Sequence, residues 1–466
     1  MEHALAAGGA HYGINTGFGA LARQRIPDDQ LEQLQRNLLV SHAVGVGEPV
    51  PRRITKLMLE LKLHALALGY SGVSASTLDR LLLFAERDWV AVVPSRGSLG
   101  ASGDLAPLAH LCLPLLGLGE FWNVDGVGRR AAEEVLLAHA LEPIVLHAKD
   151  GLALINGTQL MAAYGSYVLE SCLRLVKTAD IVAAISLEAL QGSVVPFDAR
   201  IHAARPHPGQ RAVAKNVRAL LQHSAIMESH RHCGKVQDPY SLRCVPQVHG
   251  ASRDALAWAG SVVEREINSA TDNPLVFEDG AILSGGNFHG QPLALALDLA
   301  AIAIAELGSI SERRTYLLLG GHDGLPPMLM KQTGINSGLM ITQYTAAALV
   351  SENKALCHPA SVDSIPTSLG QEDHVSMGSV AALELLRVFE NVISVLGIEL
   401  LCAAQALDYR EPRPGRGVEI AHRLVRERIA HSEADHLLDR ELKRASEIVA
   451  SDALIAPVEE AVGELD

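Results

Sequence analysis

Side chains able to do chemistry fall in a few short runs dense in Gly, Asn, Ser, His and Tyr, whose polarity makes little sense as core filling. They are residues 12–19 (YGINTGFG), 41–48 (SHAVGVGE), 97–104 (GSLGASGD), 156–159 (NGTQ), 237–243 (QDPYSLR), 284–290 (SGGNFHG) and 371–377 (QEDHVSM). Taken singly, each is equally well a turn between helices. The run 97–103 is not a phosphate loop, because its spacing is G-x-x-G-x-x-G, no buried strand precedes it and no Gly-Lys-Ser/Thr follows. Nor is it a nucleophile elbow, since Gly100-Ala101-Ser102-Gly103 lacks the G-x-S-x-G spacing. A third chemistry is self-reaction. If the Gly103 nitrogen attacks the Ala101 carbonyl carbon and two waters leave, an imidazolone ring closes and Ser102 becomes a dehydroalanine with an electrophilic methylidene carbon. Only small residues let the backbone bend so tightly. Ala-Ser-Gly is a common tripeptide, so residue types alone leave this as one option among several.

The elements that position these runs read as helices. Ile54, Leu57, Met58, Leu61, Ala65 and Leu68 share one helical face, with Gly69 as a stop. Ser76 and Asp79 have capping-box spacing ahead of Leu78, Leu81, Leu82 and Ala85. Three longer segments, residues 152–191, 292–320 and 375–407, predict rods of roughly 40–50 Å at the rise of an α-helix. They are apolar on most sides, as in LALALDLAAIAIAEL, which places them inside a helix assembly. Residues 418–449 mix charge and apolar positions at helical spacing, as an outer element does. Strand signals are weak and there is no internal repeat. The expected organisation is all-α: an N-terminal helical region 1–150, a central long-helix bundle 151–410 and a C-terminal helical region 411–466, built as one continuous unit.

Composition excludes several classes. With 466 residues, 48% of them hydrophobic, 20% charged and a mean hydropathy of +0.17, the chain can bury a large core. A formal charge of −14 disfavours phosphate backbones and anionic lipid as partners. No uninterrupted apolar run of membrane-span length is evident and the start lacks a basic n-region, so a cytoplasmic protein is expected. Six scattered cysteines, Cys112, Cys172, Cys233, Cys244, Cys357 and Cys402, contain no C-x-x-C pair and suit reduced thiols.

In their order, YGINTGFG, GSLGASGDLAPLAH, NGTQ, QDPYSLRC, GGNFHG and QEDHVSMG resemble the aromatic amino acid ammonia-lyase family, and most of all its histidine-acting branch. The likeness runs from about Tyr12 to Leu407. It implies an L-aspartase-like all-helical fold, a homotetramer whose active sites combine several subunits, and a 4-methylidene-imidazol-5-one (MIO) group formed from Ala101-Ser102-Gly103 without an exogenous cofactor. The implied reaction is non-oxidative loss of ammonia from L-histidine to give trans-urocanate. Tyr12 is the expected base, with Glu372 as its rival; a phenol serves this role when nearby positive helix N-termini stabilise phenolate. Arg243 is expected to grip the substrate carboxylate with its fork of donors, helped by Tyr240 and Asn156. Gln237 contacts the polar end, and Phe288 packs on the cofactor ring or the substrate. His42 and Glu372 form the selectivity pair for an imidazole. Relatives acting on phenylalanine or tyrosine carry other residues there, which makes those activities, or an aminomutase returning ammonia to the β-carbon, the lesser expectation.

Two rivals lie outside this chemistry. His230, His232, Cys233, Cys244 and His249 are all capable zinc ligands, but their spacing matches no common module. A catalytically dead scaffold is the other, and intact Tyr12, Ser102, Arg243 and Glu372 argue against it. Family members carry a few dozen residues before the YGINTGFG run, so a loosely braced Tyr12 loop with low activity is an expectation where such residues normally brace it.

Overall fold

The computed structural model describes residues 11–231 and 234–466. The chain divides into two compact units. One takes residues up to 167 with 260–298 and 359–383, the other 168–259, 299–358 and 384–466. These divisions fall elsewhere than 150 and 410, because Gln159–Ala189, Val245–Ile267, Gln291–Leu319 and Gly378–Leu407 each supply residues to both.

The first unit joins the helices Leu31–His42, Arg52–Ala67, Ala75–Glu86, Leu105–Cys112 and Asp150–Ile155 with three short antiparallel strand pairs. Arg52–Ala67 buries Ile54, Met58, Leu59, Ala65 and Leu66, and ends before Gly69, whose φ of +84° is the usual glycine terminator. Its buried face is turned slightly from the predicted one: Leu57 and Leu61 are half-buried while Lys62 faces inward. The next helix is capped by Ser74, not Ser76; the Ser74 hydroxyl oxygen accepts from Thr77 N–H at 3.4 Å. Buried Asp150 sets that position by accepting from Ser74 N (2.7 Å), Ser74 Oγ (2.8 Å) and Thr77 Oγ1 (3.0 Å).

The segment 152–191 is not one helix. It breaks between Asp150–Ile155 and Gln159–Ala189, where Asn156 is extended (φ −89°, ψ 129°) and Gly157 has φ +134°, a conformation that strains any residue with a Cβ.

In the second unit the long helices carry paired buried charges. Arg314 donates to both Glu399 oxygens, at 2.5 and 2.8 Å, and Ser186 Oγ donates to Glu399 Oε1 at 2.6 Å. Residues 418–449 form two helices, Arg416–Arg428 and Asp439–Val449. They part where buried Gln405 takes both the N–H and the carbonyl of Ser432. By length and composition Gln291–Leu319 is apolar enough to cross a membrane, a stretch interrupted in sequence by Asp298 and Glu306; 67% of its most apolar window is buried within the protein. The described cysteines are free, and burial pushes the Cys112 thiol up to about 12.

Candidate active site

A cavity of about 650 Å³ lies wholly within the first unit. Its lining brings together Tyr12, His42, Ala101, Ser102, Asn156, Phe288 and Glu372, residues scattered over most of the chain. Backbone close to backbone shapes its floor. Ser102 has φ +50°, and Gly100 and Gly103 have φ +85° and +79°. Gly157 N–H donates to Ser102 O at 3.3 Å and Asp104 N–H donates to Gly157 O at 2.7 Å, so one peptide strip grips the tripeptide on both sides of Gly103. A Cβ on Gly103 would sit 2.0 Å from Gly157 O, and one on Gly100 would sit 2.2 Å from Ser376 Oγ. Glycine is therefore obligatory at Gly103 for packing as well as for φ.

Below the floor lies Asp104, fully buried at the start of Leu105–Cys112. Its Oδ2 accepts from Leu160 N (2.9 Å) and Met161 N (3.1 Å), the first turn of Gln159–Ala189, while Oδ1 has no partner. Burial pushes this carboxyl up to about 7, against the pull of the two amides. Asn156 is held by its Nδ2 donating to Asn273 O at 2.9 Å, which leaves its buried Oδ1 unpartnered. Unpaired acceptors at a cavity are expensive unless a ligand uses them.

His42 is the last residue of Leu31–His42, and its Nδ1 donates to Leu38 O at 2.7 Å. That bond defines the tautomer and leaves the Nε2 lone pair free to accept. Burial lowers the His42 pKa, opposed by the Leu38 carbonyl and the Glu372 charge, so the ring is neutral near pH 7. Glu372 is oriented by Thr367, whose hydroxyl donates to Oε2 at 2.7 Å. Tyr12 Oη receives the Gly19 N–H at 3.1 Å, and Ala20 N–H donates to Ser368 Oγ at 3.1 Å. The tyrosine loop and the Glu372 loop thus brace each other.

Gln237, Tyr240 and Arg243 do not join these residues. They belong to the second unit and none lines the cavity. Gln237 is exposed, Tyr240 is 71% exposed, and the Arg243 guanidinium lies 4.9 Å from the Tyr240 ring centroid. Spacing along the chain carries no information about which surface a run will face, and the expectation of active sites that combine several subunits does not require these three to line the cavity of their own chain. Conversely, Asn273, Ser284, His289, Ser368 and His374 line the cavity without having been singled out. His289 and His374 sit inside the GGNFHG and QEDH runs, and their rings stack at 5.5 Å. Asn273 had no signal of its own.

The zinc alternative loses its ligands to other bonds. His230 bonds the carbonyls of Ile226 and Gly192 (2.6 and 3.0 Å), and buried His249 Nδ1 pairs with Asp180 at 2.7 Å. His232 and Cys233 lie outside the described residues, among which no three His, Cys, Asp or Glu side chains gather as a metal group.

A bent Ala-Ser-Gly turn thus lies under a cavity lined by a phenol, an imidazole and a carboxylate. Residues 1–427 match the aromatic amino acid lyase family, and the chain belongs to that family. It is 55% identical over 99% of its length to a histidine ammonia-lyase of Sorangium cellulosum, covering 92% of that protein. Among solved structures, histidine ammonia-lyase from Trypanosoma cruzi superposes with a TM-score of 0.90 at 42% identity, over 98% of this chain and 87% of that one. Tyrosine aminomutase from Streptomyces globisporus superposes with a TM-score of 0.93 at 35% identity, over 100% and 92%. The helical fold is common to both activities, so the side chains in the cavity must discriminate between them.

Proposed function

We propose that this protein eliminates ammonia from L-histidine to give trans-urocanate, using an MIO group made from Ala101-Ser102-Gly103. The observation that carries the proposal is the convergence of His42, Glu372 and Tyr12 on a Ser102 whose backbone is already bent at φ +50°. The tripeptide fits the group: Gly103 has no Cβ to obstruct its nitrogen, and Gly157 pins both flanks of the bend. When formed, MIO supplies an electrophilic methylidene carbon that makes the substrate's amine a competent leaving group.

The chain's own residues supply the rest. Neutral His42 accepts the imidazole N–H at its free Nε2. Asn156 Oδ1 accepts from the substrate amine, and Phe288 packs beside it. Tyr12, its oxygen steadied by Gly19 N–H, takes the β-proton; Glu372, steadied by Thr367, is the alternative acceptor. Exposed Gln237 and Tyr240, with half-buried Arg243, serve the cavity of another copy, which makes the working form a homotetramer with shared sites. Arg243 then clamps the substrate carboxylate.

The test is purified protein with L-histidine, a chelator and no added cofactor, followed by urocanate absorbance in the near ultraviolet. A rise in urocanate with an intact mass two waters below the translated sequence is expected. A β-amino acid product would transfer the protein to the aminomutases, and an unaltered mass would refute the cofactor assignment.

A further inference from the structure

Lys62 is a fully inward-facing ammonium on Arg52–Ala67, a helix that contributes no residue to the cavity lining. It is 1% exposed, and its Nζ donates to Asn156 O at 2.7 Å. That carbonyl belongs to the Asn156–Gly157 peptide, whose other end, Gly157 N–H, donates to Ser102 O. Lys62, the peptide and the Ser102 carbonyl therefore form a relay of two hydrogen bonds in series, wholly inside the first unit. A charged donor on one end of a peptide polarises it and strengthens the donor at the other end.

We propose that Lys62 is a positioning residue that activates the cofactor: through the Asn156–Gly157 peptide it draws electron density toward the Ser102 oxygen. This inference rests on the proposed function, because the Ser102 carbonyl becomes the carbonyl conjugated with the methylidene carbon once the tripeptide has cyclised. When a nucleophile's electron pair bonds to that carbon, the displaced π pair moves toward the Ser102 oxygen, where the Gly157 N–H meets it. The nucleophile's proton completes the adduct. A buried lysine is otherwise costly at this place: burial lowers its pKa to about 8, and Asp272 recovers part of the loss. Its charge is present at neutral pH, where the relay works.

The test uses a probe that needs no substrate recognition. Cyanide adds to the methylidene carbon with a net gain of one HCN, read by intact mass. Lys62→Gln, which keeps a donor and loses the charge, is expected to dehydrate its tripeptide as the parent does and to add cyanide about fivefold more slowly. Lys62→Arg, which keeps the charge, should stay within about twofold of the parent. For L-histidine, kcat of Lys62→Gln should fall with KM little changed. Equal slowing of both variants, or no slowing of Lys62→Gln, would overturn the proposal. Where a variant does not fold, the parent's own profile decides: its cyanide rate, divided by that of a free dehydroalanine amide, should fall as pH rises through about 8, and a flat ratio would overturn it. A parent mass lacking the loss of two waters would instead remove the reading on which the inference stands.

Discussion

Glu399 and Asp180 of the second unit and Asp104 of the first are buried carboxylates held in opposite ways. In the second, both oxygens of Glu399 and both oxygens of Asp180 have donors: Arg314 and Ser186 for one, His249, Asn216 and Arg253 for the other. Burial works against the Asp180 carboxylate, but Arg253 and His249 outweigh it and hold its pKa below the ordinary range. In the first unit Asp104 has one oxygen with two amide donors and the other with none, and burial wins, lifting it to about 7. Asn156 likewise keeps an empty acceptor, and Ser102 holds a positive φ. Paired charges fasten long helices, while at the cavity the unpartnered Asn156 oxygen and the bent Ser102 backbone lie where a ligand and a chemical step would use them.

The contrast can be broken most sharply at the tripeptide. Ser102→Ala should abolish urocanate formation, a loss of at least about a thousandfold, and restore the full translated mass, with thermal unfolding within a degree or two of the parent. Breaking a paired charge should do the reverse. Glu399→Gln leaves Arg314 buried without its counter-charge and should cost about 3–5 kcal/mol in urea unfolding, while tripeptide dehydration in the folded fraction is unchanged. An effect on mass there, or a large stability loss in Ser102→Ala, would erase the distinction between the units.

Smaller effects sharpen it. His42→Ala should lower kcat/KM for L-histidine by roughly 10–100-fold, the worth of one buried hydrogen bond to substrate. Activity on L-tyrosine should fall less, and equal losses would remove His42 from the selectivity pair. Asp104 gives the pH signature. Its folded pKa lies above its unfolded value, so its contribution to stability is full below about pH 4 and is lost as pH rises through about 7. Melting temperature should therefore decline between about pH 4 and 7, and Asp104→Asn should flatten that decline by roughly 2–4 °C. Glu188, which burial also lifts to about 7, contributes to the slope remaining in that variant, and Glu188→Gln should reduce it further.

Much of the helical fold was legible because burial periodicity is a local signal. Residues 54–66, 291–319 and 378–407 carry apolar side chains at three- and four-residue spacing, and helices form there within a few residues of expectation. Misplaced points have a common cause in partners distant along the chain. Asp150, 76 residues from Ser74, moves a helix cap, and the grip of Gly157 on Ser102 and Asp104 rewards a break that apolar spacing conceals. Lys62 lies off the predicted apolar face, and nothing nearby in sequence announces the Asn156 carbonyl that receives it.

By itself the sequence determined the helical class and the family, and it marked Ala101-Ser102-Gly103 as a candidate run, since each depends on residue type at short spacing. Only the tertiary structure decided which runs meet: Tyr12, His42, Ser102, Asn156, Phe288 and Glu372 around one cavity, with Gln237, Tyr240 and Arg243 elsewhere. It also decided the unpaired oxygens of Asp104 and Asn156. These depend on contacts between residues tens to hundreds of positions apart, and local spacing carries no record of them.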